Sequence, residues 1–417
     1  MAKILPPHGG VDEPVNRIVD TLGDTAGLPK INVVAVDQTS LYRIADGTLS
    51  PLTGPMGKAD YDQVLNEKSI TRSGEKWAWA IPVPLPVTDA EAETLKAGEK
   101  AALEFEGSVF GVITIDSVYD WDKSEFIEKT YGTSRTDHPG ARLWTGDERT
   151  KLCGGEISLL AFNDDREFKD RIMSPADTRK LLAEEGYDAS IAFQTRNPLH
   201  RAHEYALVYG AEKVLRDEKP SKIGVFLNPL VGQLKGDDVP AATRMLTYER
   251  LIDGHYLGDG DKDVELWKSS GQDLNQQTKL AGLDMRMYYG GPSEAVMHAI
   301  YRQNLGFTKF IIGRKHADAP YDDKTDIWGD FDAQEIFSKL GGKLAIETVN
   351  VGFAAYFEEI ARVGLVEDNK GKTTVSISGT KVRSILNSGE MPDSRIMRPS
   401  TAEVLIEYYK KKNEAAA

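Results

Sequence analysis

Hydrogen-bond donors are concentrated in one short stretch of this 417-residue chain, QTRNPLHRAHEYAL, at residues 194–207. Its polar side chains include Arg196, Asn197, His200 and His203. Two residues three positions apart share one face of a helix. Guanidinium and imidazole groups are donors that proteins use for phosphate and other oxyanions. The stretch therefore predicts an anion site at the start of a helix.

The elements around the stretch favour this interpretation. The preceding run ASIAFQ is typical of a strand. Asn197 suits an N-cap and Pro198 the first helical position, so we expect the helix to begin there. His200 and His203 would then lie beside free backbone N–H groups at the positive end of the helix dipole, where phosphate binds. The alternative is an ordinary pair of surface histidines.

Three other stretches add polar groups at a strand end or helix start. They are FLNPLVGQLKGDD, with Asn228, Lys235 and two aspartates; GRKHADAP, with Arg314, Lys315 and His316 after Gly313; and SISGTKVR, with Ser378, Gly379, Thr380 and Arg383. Each alone is also explained as a solvated loop, a turn or a capping serine. Because open parallel sheets place ligands at the carboxyl ends of their strands, the stretches together predict the walls of a polyanion pocket.

Composition limits the kinds of partner. The chain has 51 Lys and Arg against 65 Asp and Glu, a net charge of −14 and a pI near 5.1, which argues against nucleic acid or a membrane surface as partner. The one cysteine, Cys153, excludes an intrachain disulfide or a multi-cysteine metal site. The start MAKILPPHGG lacks the apolar run of a signal peptide. We expect a cytoplasmic protein.

Secondary-structure patterns change near residue 170. Before it, strand-like runs such as KINVVAVD and KWAWAIPVPLPV alternate with turn-rich pieces such as DHPGARLWTGDE. In this region DAEAETLKAG alone has a helical pattern. Residues 1–170 therefore predict a β-rich domain. Residues 171–332 alternate strands (ASIAFQ, KIGVFLN, MRMYY, KFIIG) with helices, including AATRMLTYERLI and one from Pro292 to Asn304, which predicts a mainly parallel sheet. Residues 333–417 predict a helix near DAQEIFSKLGG, a strand near LAIETV, and TTVSISG leading into a helix.

The motifs QTRNPLHRAH, GRKHA and ISGTKVR, with NPLVGQLKGDDVP and GGPSEAVMHA, resemble those of the ATP sulfurylase family of the nucleotidyltransferase superfamily. SPLTGPM, IPVPL and DHPGARL resemble the PUA-like N-terminal domain of that family. The resemblance implies an α/β chain in three parts. They are a β-rich PUA-like domain (1–170), a Rossmann-like parallel-sheet nucleotidyltransferase domain (171–332) and a small C-terminal α/β subdomain (333–417). No adenylylsulfate-kinase-like domain is expected to follow.

The resemblance also implies an activity and a role for each site residue. The activity is sulfate adenylyltransferase: sulfate attacks the α-phosphorus of ATP in line, giving adenylyl sulfate and pyrophosphate, in either direction. The implied catalytic residues are Thr195, Arg196, Asn197, His200 and His203. Sulfate would be held by Gln194, Arg196 and the backbone of Ala317. The nucleotide would be held by Gln194, Thr195, Arg196, Asn197, Gly313, Arg314, Lys315, His316 and Ala354.

The expected assembly follows from the same resemblance, and the expected cofactor follows from the residues. The resemblance implies a homo-oligomer that works in sulfur metabolism, for example in sulfate assimilation. Because Cys153 is the one cysteine and the histidines are assigned to phosphates, we expect Mg²⁺ to be needed with ATP and no metal to be tightly bound. The chain departs from the common family pattern at Pro55, Ser293, Lys315 and Asp318. Two alternatives stay open. One is an adenylyltransferase acting on a phosphate ester or a carboxylate, against which QTRNP and GRKHA argue. The other is an inactive adenylate-binding regulator, against which the intact catalytic set argues.

Overall fold

A computed structural model describes residues 2–232, 239–375 and 379–416 of the chain. Lys235, its two neighbouring aspartates and Ser378, all predicted to line the pocket, lie outside the described residues. A β-sheet domain comes first, then a parallel-sheet domain, then a small antiparallel sheet with two helices. This order agrees with the predicted fold class. No helix in the described part of the chain is long and apolar enough to cross a membrane.

The N-terminal domain is built on a five-stranded sheet with strand order β1-β5-β6-β7-β4, accompanied by the hairpin β2-β3. Its strands are β1 Lys30–Asn32, β2 Ser69–Arg72, β3 Glu75–Ala78, β4 Pro86–Val87, β5 Lys100–Phe105, β6 Ser108–Asp120 and β7 Lys151–Leu159. Its helices are α1 Ala35–Ala45, α2 Lys58–Glu67, α3 Asp89–Ala92, α4 Lys123–Tyr131 and α5 Pro139–Thr145.

The prediction of a single helix in this domain, near α3, is wrong, because α1, α2, α4 and α5 are helical as well. Helix α1 starts within the run KINVVAVD that predicted one strand. Leu41, Ile44 and Ala45 are all buried, and their spacing of three and four residues is that of a helix face. Helix α5 lies in DHPGARLWTGDE, where His138 is the N-cap and Pro139 the first residue. Pro at that position favours a helix and does not break it.

The parallel sheet of the second domain has strand order β10-β9-β8-β11-β12. Its strands are β8 Ala189–Phe193, β9 Ile223–Leu227, β10 Thr278–Leu280, β11 Lys309–Ile312 and β12 Glu347–Asn350. Its helices are α6 Pro175–Glu185, α7 Arg201–Glu218, α8 Ala241–Asp253, α9 Val264–Ser270, α10 Leu274–Gln277, α11 Gly291–Asn304 and α12 Asp332–Glu335. Strands β8, β9 and β11 are buried throughout, as their uninterrupted apolar runs predict. Strand β12 extends the sheet beyond residue 332, into the region assigned to the C-terminal subdomain.

The predicted strand MRMYY is wrong. Residues 285–289 belong to no strand, and β10 lies a few residues earlier. The segment is fully buried at the contact between the two large domains. Its backbone bonds to a side chain: the carboxylate of Glu294 accepts the N–H of Tyr288 at 2.8 Å and that of Gly290 at 2.9 Å. A buried carboxylate thus accepts the backbone N–H groups that a neighbouring strand would bond if the apolar segment were a strand.

The C-terminal part carries β13 Ala354–Phe357, β14 Arg362–Leu365 and β15 Thr374–Val375 in the order β14-β13-β15, followed by α13 Gly379–Asn387 and α14 Pro399–Ala416. Buried ion pairs connect it to α7. Arg398 Nε lies 2.8 Å from Glu204 Oε2 of α7. Arg201 of α7 is linked to the C-terminal part indirectly, through Asp261, whose Oδ1 lies 2.6 Å from Arg201 Nη2. Asp261 also accepts the N–H of Val363 at 2.8 Å. These contacts fix the C-terminal part over the start of α7.

Candidate active site

Side chains shape the loop between β8 and α7 by bonding to its own backbone. Thr195 Oγ1 accepts the Asn197 N–H at 3.1 Å and donates to the Asn197 carbonyl at 2.9 Å. The Tyr248 hydroxyl, from α8, donates to the same carbonyl at 2.8 Å. This turn holds Asn197 and Pro198 outside the helix. The prediction that Asn197 caps the helix and Pro198 opens it is therefore wrong.

Helix α7 begins at Arg201, with His200 as its N-cap. His200 Nδ1 accepts the N–H of His203 at 3.1 Å, and the Arg201 N–H donates to the carbonyl of Ile396 at 2.8 Å. Two of the first three backbone N–H groups of the helix are thus already bonded. The expectation of free N–H groups here is only partly met, so side chains must supply most of the donors for an anion.

The two histidines lie together and are neutral. The His203 ring packs edge-on against Phe193, with centroids 5.2 Å apart, and lies 5.5 Å from the His200 ring. Burial, followed by electrostatic interaction with His200, Arg196 and His316, lowers the pKa of His203 to about 3. Desolvation also lowers the pKa of His200. Since His200 Nδ1 accepts a hydrogen bond, the neutral ring carries its proton on Nε2 and can donate it to a ligand.

Both histidines line a cleft of about 520 Å³ between the parallel sheet and the C-terminal part. Its polar and backbone lining includes Asn197, His200, His203, Arg314, Ala354, Tyr356, Gly379, Arg383 and Arg395. None of the described residues that line it is acidic. A cleft with three arginines, two histidines and no carboxylate among its described lining suits a ligand with several negative charges.

The loop after β11 forms the next part of the site. A Cβ added at Gly313 would meet no atom within 4 Å, so there is space beside the backbone here. Arg314 lines the cleft and pairs with Asp330 at 3.1 Å. Lys315, by contrast, contacts Asp326 and lies 4.0 Å from Asp330. Both predicted nucleotide-binding residues thus pair with acidic side chains, and of the two it is the arginine that lines the cleft.

Arg196 and Gln194 carry buried polar atoms whose partners are missing from the described residues. Arg196 Nη2 donates to the Asp318 carbonyl at 3.2 Å, and its Cζ lies 5.1 Å from the centre of the Tyr289 ring. Arg196 Nη1, Gln194 Oε1 and Asp318 Oδ1 are buried without a hydrogen-bond partner in the described part of the chain. Native proteins pair almost all buried polar groups. Three such atoms in one place indicate a ligand site.

Three polar side chains lie close together behind the loop. His316 Nε2 is 2.9 Å from His298 Nδ1, and His298 Nε2 is 3.3 Å from Glu294 Oε1. Burial raises the pKa of Glu294 to about 7 and lowers the pKa values of both histidines well below the usual range. The side chain of His316 is therefore bonded inward, and its ring supports the loop from behind.

The structure brings the predicted site residues together in two groups. The first group lines the cleft: Asn197, His200, His203, Arg314 and Ala354. The second follows the carboxyl ends of the adjacent strands β8 and β11: Gln194, Thr195, Arg196, Gly313, His316 and Ala317. Thr195 differs from the prediction in one respect, because its hydroxyl already serves the turn at Asn197. Asn228 is buried below the edge, where Arg302 Nη2 donates to its carbonyl at 3.1 Å.

Several residues on which this geometry depends were not predicted. Glu294 and His298 lie four residues apart in GGPSEAVMHA, a helical spacing that could have marked them as a pair. Tyr248 and Arg395 carry no such signal, since each reaches the site from a distant part of the chain. The N-terminal domain also contributes: His138 Nε2 lies 3.0 Å from the Ala319 carbonyl.

The fold and the site define an α/β protein with a nucleotide-sized anion cleft at the edge of a parallel sheet. The family models that match the chain are a PUA-like domain over residues 6–162 and ATP-sulfurylase over residues 169–408. A "Sulfate adenylyltransferase" of Pyropia yezoensis is 69% identical, with all of both chains covered. One of Halothermothrix orenii is 34% identical over 97% of this chain and 99% of its own.

A solved structure, "Hexameric APS kinase from Thiobacillus denitrificans", has a TM-score of 0.68 and 19% identity, and the match covers 97% of this chain and 68% of that one. At that identity the match shows the fold alone. The family-model match and the full-length relatives are decisive: the chain belongs to the ATP-sulfurylase family, whose members are nucleotidyltransferases.

Proposed function

We propose that this protein transfers the adenylyl group of ATP to sulfate, giving adenylyl sulfate and pyrophosphate, and that it can run in either direction. The observation that carries the proposal is the buried Arg196 Nη1, without a partner among the described residues, beside a cation-lined cleft. The names of the full-length relatives support sulfate as the acceptor.

ATP fits the cleft. Its phosphates would lie at the start of α7, where His200 Nε2 is a donor and His203 lies alongside. Its nucleoside would lie towards Arg314 and the backbone at Ala354, which form another part of the lining. Gly313 leaves room for close approach, because no atom occupies the space where a side chain would extend.

Sulfate fits the second group of residues. The free edge of the Arg196 guanidinium can donate to two oxygens of one oxyanion, the geometry in which arginine binds such ligands most strongly. The side-chain amide nitrogen of Gln194, two residues before the arginine in the loop, is a further hydrogen-bond donor. Ala317, in the left-handed region with φ 59°, brings backbone to the same edge. The resulting site would hold sulfate next to the α-phosphate.

The chemistry needs positioning and charge compensation more than proton transfer. Sulfate is a dianion at neutral pH and needs no general base before it attacks. Two unit charges 4 Å apart repel by about 4 kcal/mol at an effective dielectric constant of 20, and both reactants here carry more than one charge. The charge of Arg196 opposes this repulsion, and the neutral histidines would add hydrogen bonds that hold the reactants with the sulfate oxygen in line with the departing pyrophosphate.

Mg²⁺ would enter as the complex with ATP and neutralise part of the triphosphate charge. The cleft fits this arrangement, because its described lining offers no carboxylate to hold the ion independently. We also propose a cytoplasmic homo-oligomer, as the family resemblance implies. Light scattering of the purified chain tests the oligomer, and fractionation of source cells tests the compartment.

Exchange of labelled pyrophosphate into ATP tests the reaction. Exchange requires the adenylyl group to reach an acceptor and return, so it should depend on sulfate and on Mg²⁺. Phosphate esters and carboxylates, offered instead of sulfate, should not support it. Exchange without sulfate, or exchange with another acceptor alone, would show that the acceptor has been wrongly assigned.

A further inference from the structure

Three consecutive carbonyl groups after β11 are each held by a different part of the protein. The Gly291 N–H, at the start of α11, donates to the Ala317 carbonyl at 3.1 Å. Arg196 donates to the Asp318 carbonyl at 3.2 Å. His138 Nε2 lies 3.0 Å from the Ala319 carbonyl. The first two contacts come from within the parallel-sheet domain, whereas the third comes from the N-terminal domain.

The loop that carries these carbonyls has an unfavourable backbone conformation. Lys315 has φ 47° and Ala317 φ 59°. Residues with a Cβ rarely adopt the left-handed region, and they keep it only where the surrounding structure imposes it. The three bonds to the 317–319 carbonyls are contacts of that kind. Losing one of them would let this segment relax and would move the Ala317 N–H relative to Arg196.

The chemistry of the His138 contact is defined by a second bond on the same ring. Gly140 N–H donates to His138 Nδ1 at 3.2 Å, which is the N-cap bond of α5. A neutral ring that accepts at Nδ1 carries its proton on Nε2. His138 therefore donates to the Ala319 carbonyl. Burial lowers its pKa, which keeps the ring neutral.

The orientation of the ring is also fixed by its surroundings. Side chains of Tyr131, Tyr321 and Trp328 surround it, with ring centroids 5.5, 5.9 and 5.8 Å away. His138 itself is fully buried. An imidazole held by three aromatic rings and two hydrogen bonds has one available direction for its donor. The hydrogen bond from His138 to the Ala319 carbonyl is thus fixed in geometry by the surrounding residues at the domain boundary.

Neighbouring contacts across the same boundary are of a different kind. Tyr321 donates its hydroxyl to Thr133 at 2.6 Å. Arg142 pairs with Asp322 at 2.7 Å through side chains that are 48% and 63% exposed. Exposed ion pairs contribute little to stability. Of these contacts, the His138 bond is the one made to the 317–319 segment itself.

We propose that His138 is a positioning residue for sulfate. Through the Ala319 carbonyl, the N-terminal domain holds residues 317–319 so that the Ala317 N–H and the Arg196 guanidinium face the same anion. The inference rests on the proposed sulfate site. It extends that proposal by giving the N-terminal domain a part in sulfate affinity, with ATP held by other residues at the cleft.

Two substitutions separate the two bonds of the ring. In His138→Asn, the shorter amide keeps an acceptor for the Gly140 N–H, as asparagine is a good N-cap, but cannot reach Ala319. In His138→Gln, the longer side chain places an N–H donor near the Nε2 position and gives up the cap. Arg142→Gln, on the same helix, removes an exposed ion pair and is the matched control.

Initial rates measured against sulfate and against ATP give the decisive comparison. We expect His138→Asn to raise the KM for sulfate about tenfold, the effect of losing one buried hydrogen bond, and to leave the KM for ATP unchanged. His138→Gln should recover most of the sulfate affinity, and Arg142→Gln should match the wild type.

An unchanged sulfate KM in His138→Asn overturns the inference. So does an equal loss of affinity for both substrates, or a failure to fold, because the contact would then serve general stability. Failure of His138→Gln to improve on His138→Asn overturns it as well. A wild-type protein without sulfate-dependent turnover would instead overturn the proposed function, and this inference with it.

Discussion

Replacing Arg196 with lysine tests the proposed sulfate site most directly. Lysine keeps the positive charge, but it loses the planar fork that can give an oxyanion two parallel hydrogen bonds. The change also removes the Nη2 bond to the Asp318 carbonyl, 3.2 Å long in the wild type. Both losses act at the sheet edge, and neither touches the described lining of the cleft.

The expected size of the effect follows from the bonds lost. A hydrogen bond to a charged group contributes about 1.5–3 kcal/mol, and each 1.4 kcal/mol is about a factor of ten in rate. Loss of one of the two fork bonds should therefore lower kcat/KM for sulfate by roughly 10- to 100-fold. ATP binding should be retained, since the residues that line the cleft are unchanged.

Pyrophosphate release across a sulfate titration measures the first effect, and differential scanning fluorimetry with ATP measures the second. Arg171→Lys is a suitable control, because Arg171 forms an exposed pair with Glu249 away from the site. Near-wild-type turnover of Arg196→Lys at all sulfate concentrations would refute the reasoning. The fork would then be dispensable, and sulfate would bind elsewhere.

Other substitutions test the residues proposed to contact ATP and the dependence of stability on pH. His200→Asn keeps an N-cap acceptor but loses the Nε2 donor, so we expect kcat to fall by roughly 10²–10³-fold with normal thermal stability; a normal kcat would mean that this donor is not used. The Gly313→Val protein should fold normally, because an added Cβ meets no atom within 4 Å, and should bind ATP more weakly in calorimetry. Gly291→Ala should instead lower the Tm, because Gly291 has φ 49° and an added Cβ would lie 2.4 Å from Trp328. Burial lowers the pKa of His8 from 6.5 to about 4. Between these two pH values the unfolded chain binds more protons at His8 than the folded chain does. The free energy of unfolding therefore falls as pH drops from 6.5 to about 4, by up to about 1.4 kcal/mol per pH unit. His8→Gln should flatten that dependence in urea unfolding between about pH 7 and pH 5, and an unchanged slope would contradict it.

The strands of the parallel sheet could be predicted because their signal is local. Strands β8, β9 and β11 are short, uninterrupted apolar runs, each followed by polar residues or a turn. The same signal failed at residues 285–289, where the apolar side chains fill a domain boundary and Glu294 bonds the backbone. An apolar pattern reports burial. It does not report whether the partner of a backbone N–H is a strand or a carboxylate.

The start of α7 shows a second limit of local signals. Asn197 and Pro198 have the right propensities for a helix start, yet Tyr248 and Thr195 hold the Asn197 carbonyl outside the helix. Tyr248 is distant in sequence and carries no mark of this contact. The motif QTRNPLHRAH predicted which residues gather at the site. Their roles as catalytic, sulfate-binding and nucleotide-binding residues stay predictions until the variants above are measured.

The pair between Arg398 and Glu204 has a consequence for how the protein is made. During translation, α7 and its histidines emerge long before residue 398. Until then the Glu204 carboxylate keeps the N–H of Gly258 but lacks its guanidinium, and removing one partner from a buried ion pair costs about 3–5 kcal/mol. In a nascent chain, therefore, the start of α7 should stay undocked, and the cleft should close only when synthesis is nearly complete. A chain truncated before Arg398 should be cut rapidly within α7 by a protease, whereas the full chain should resist.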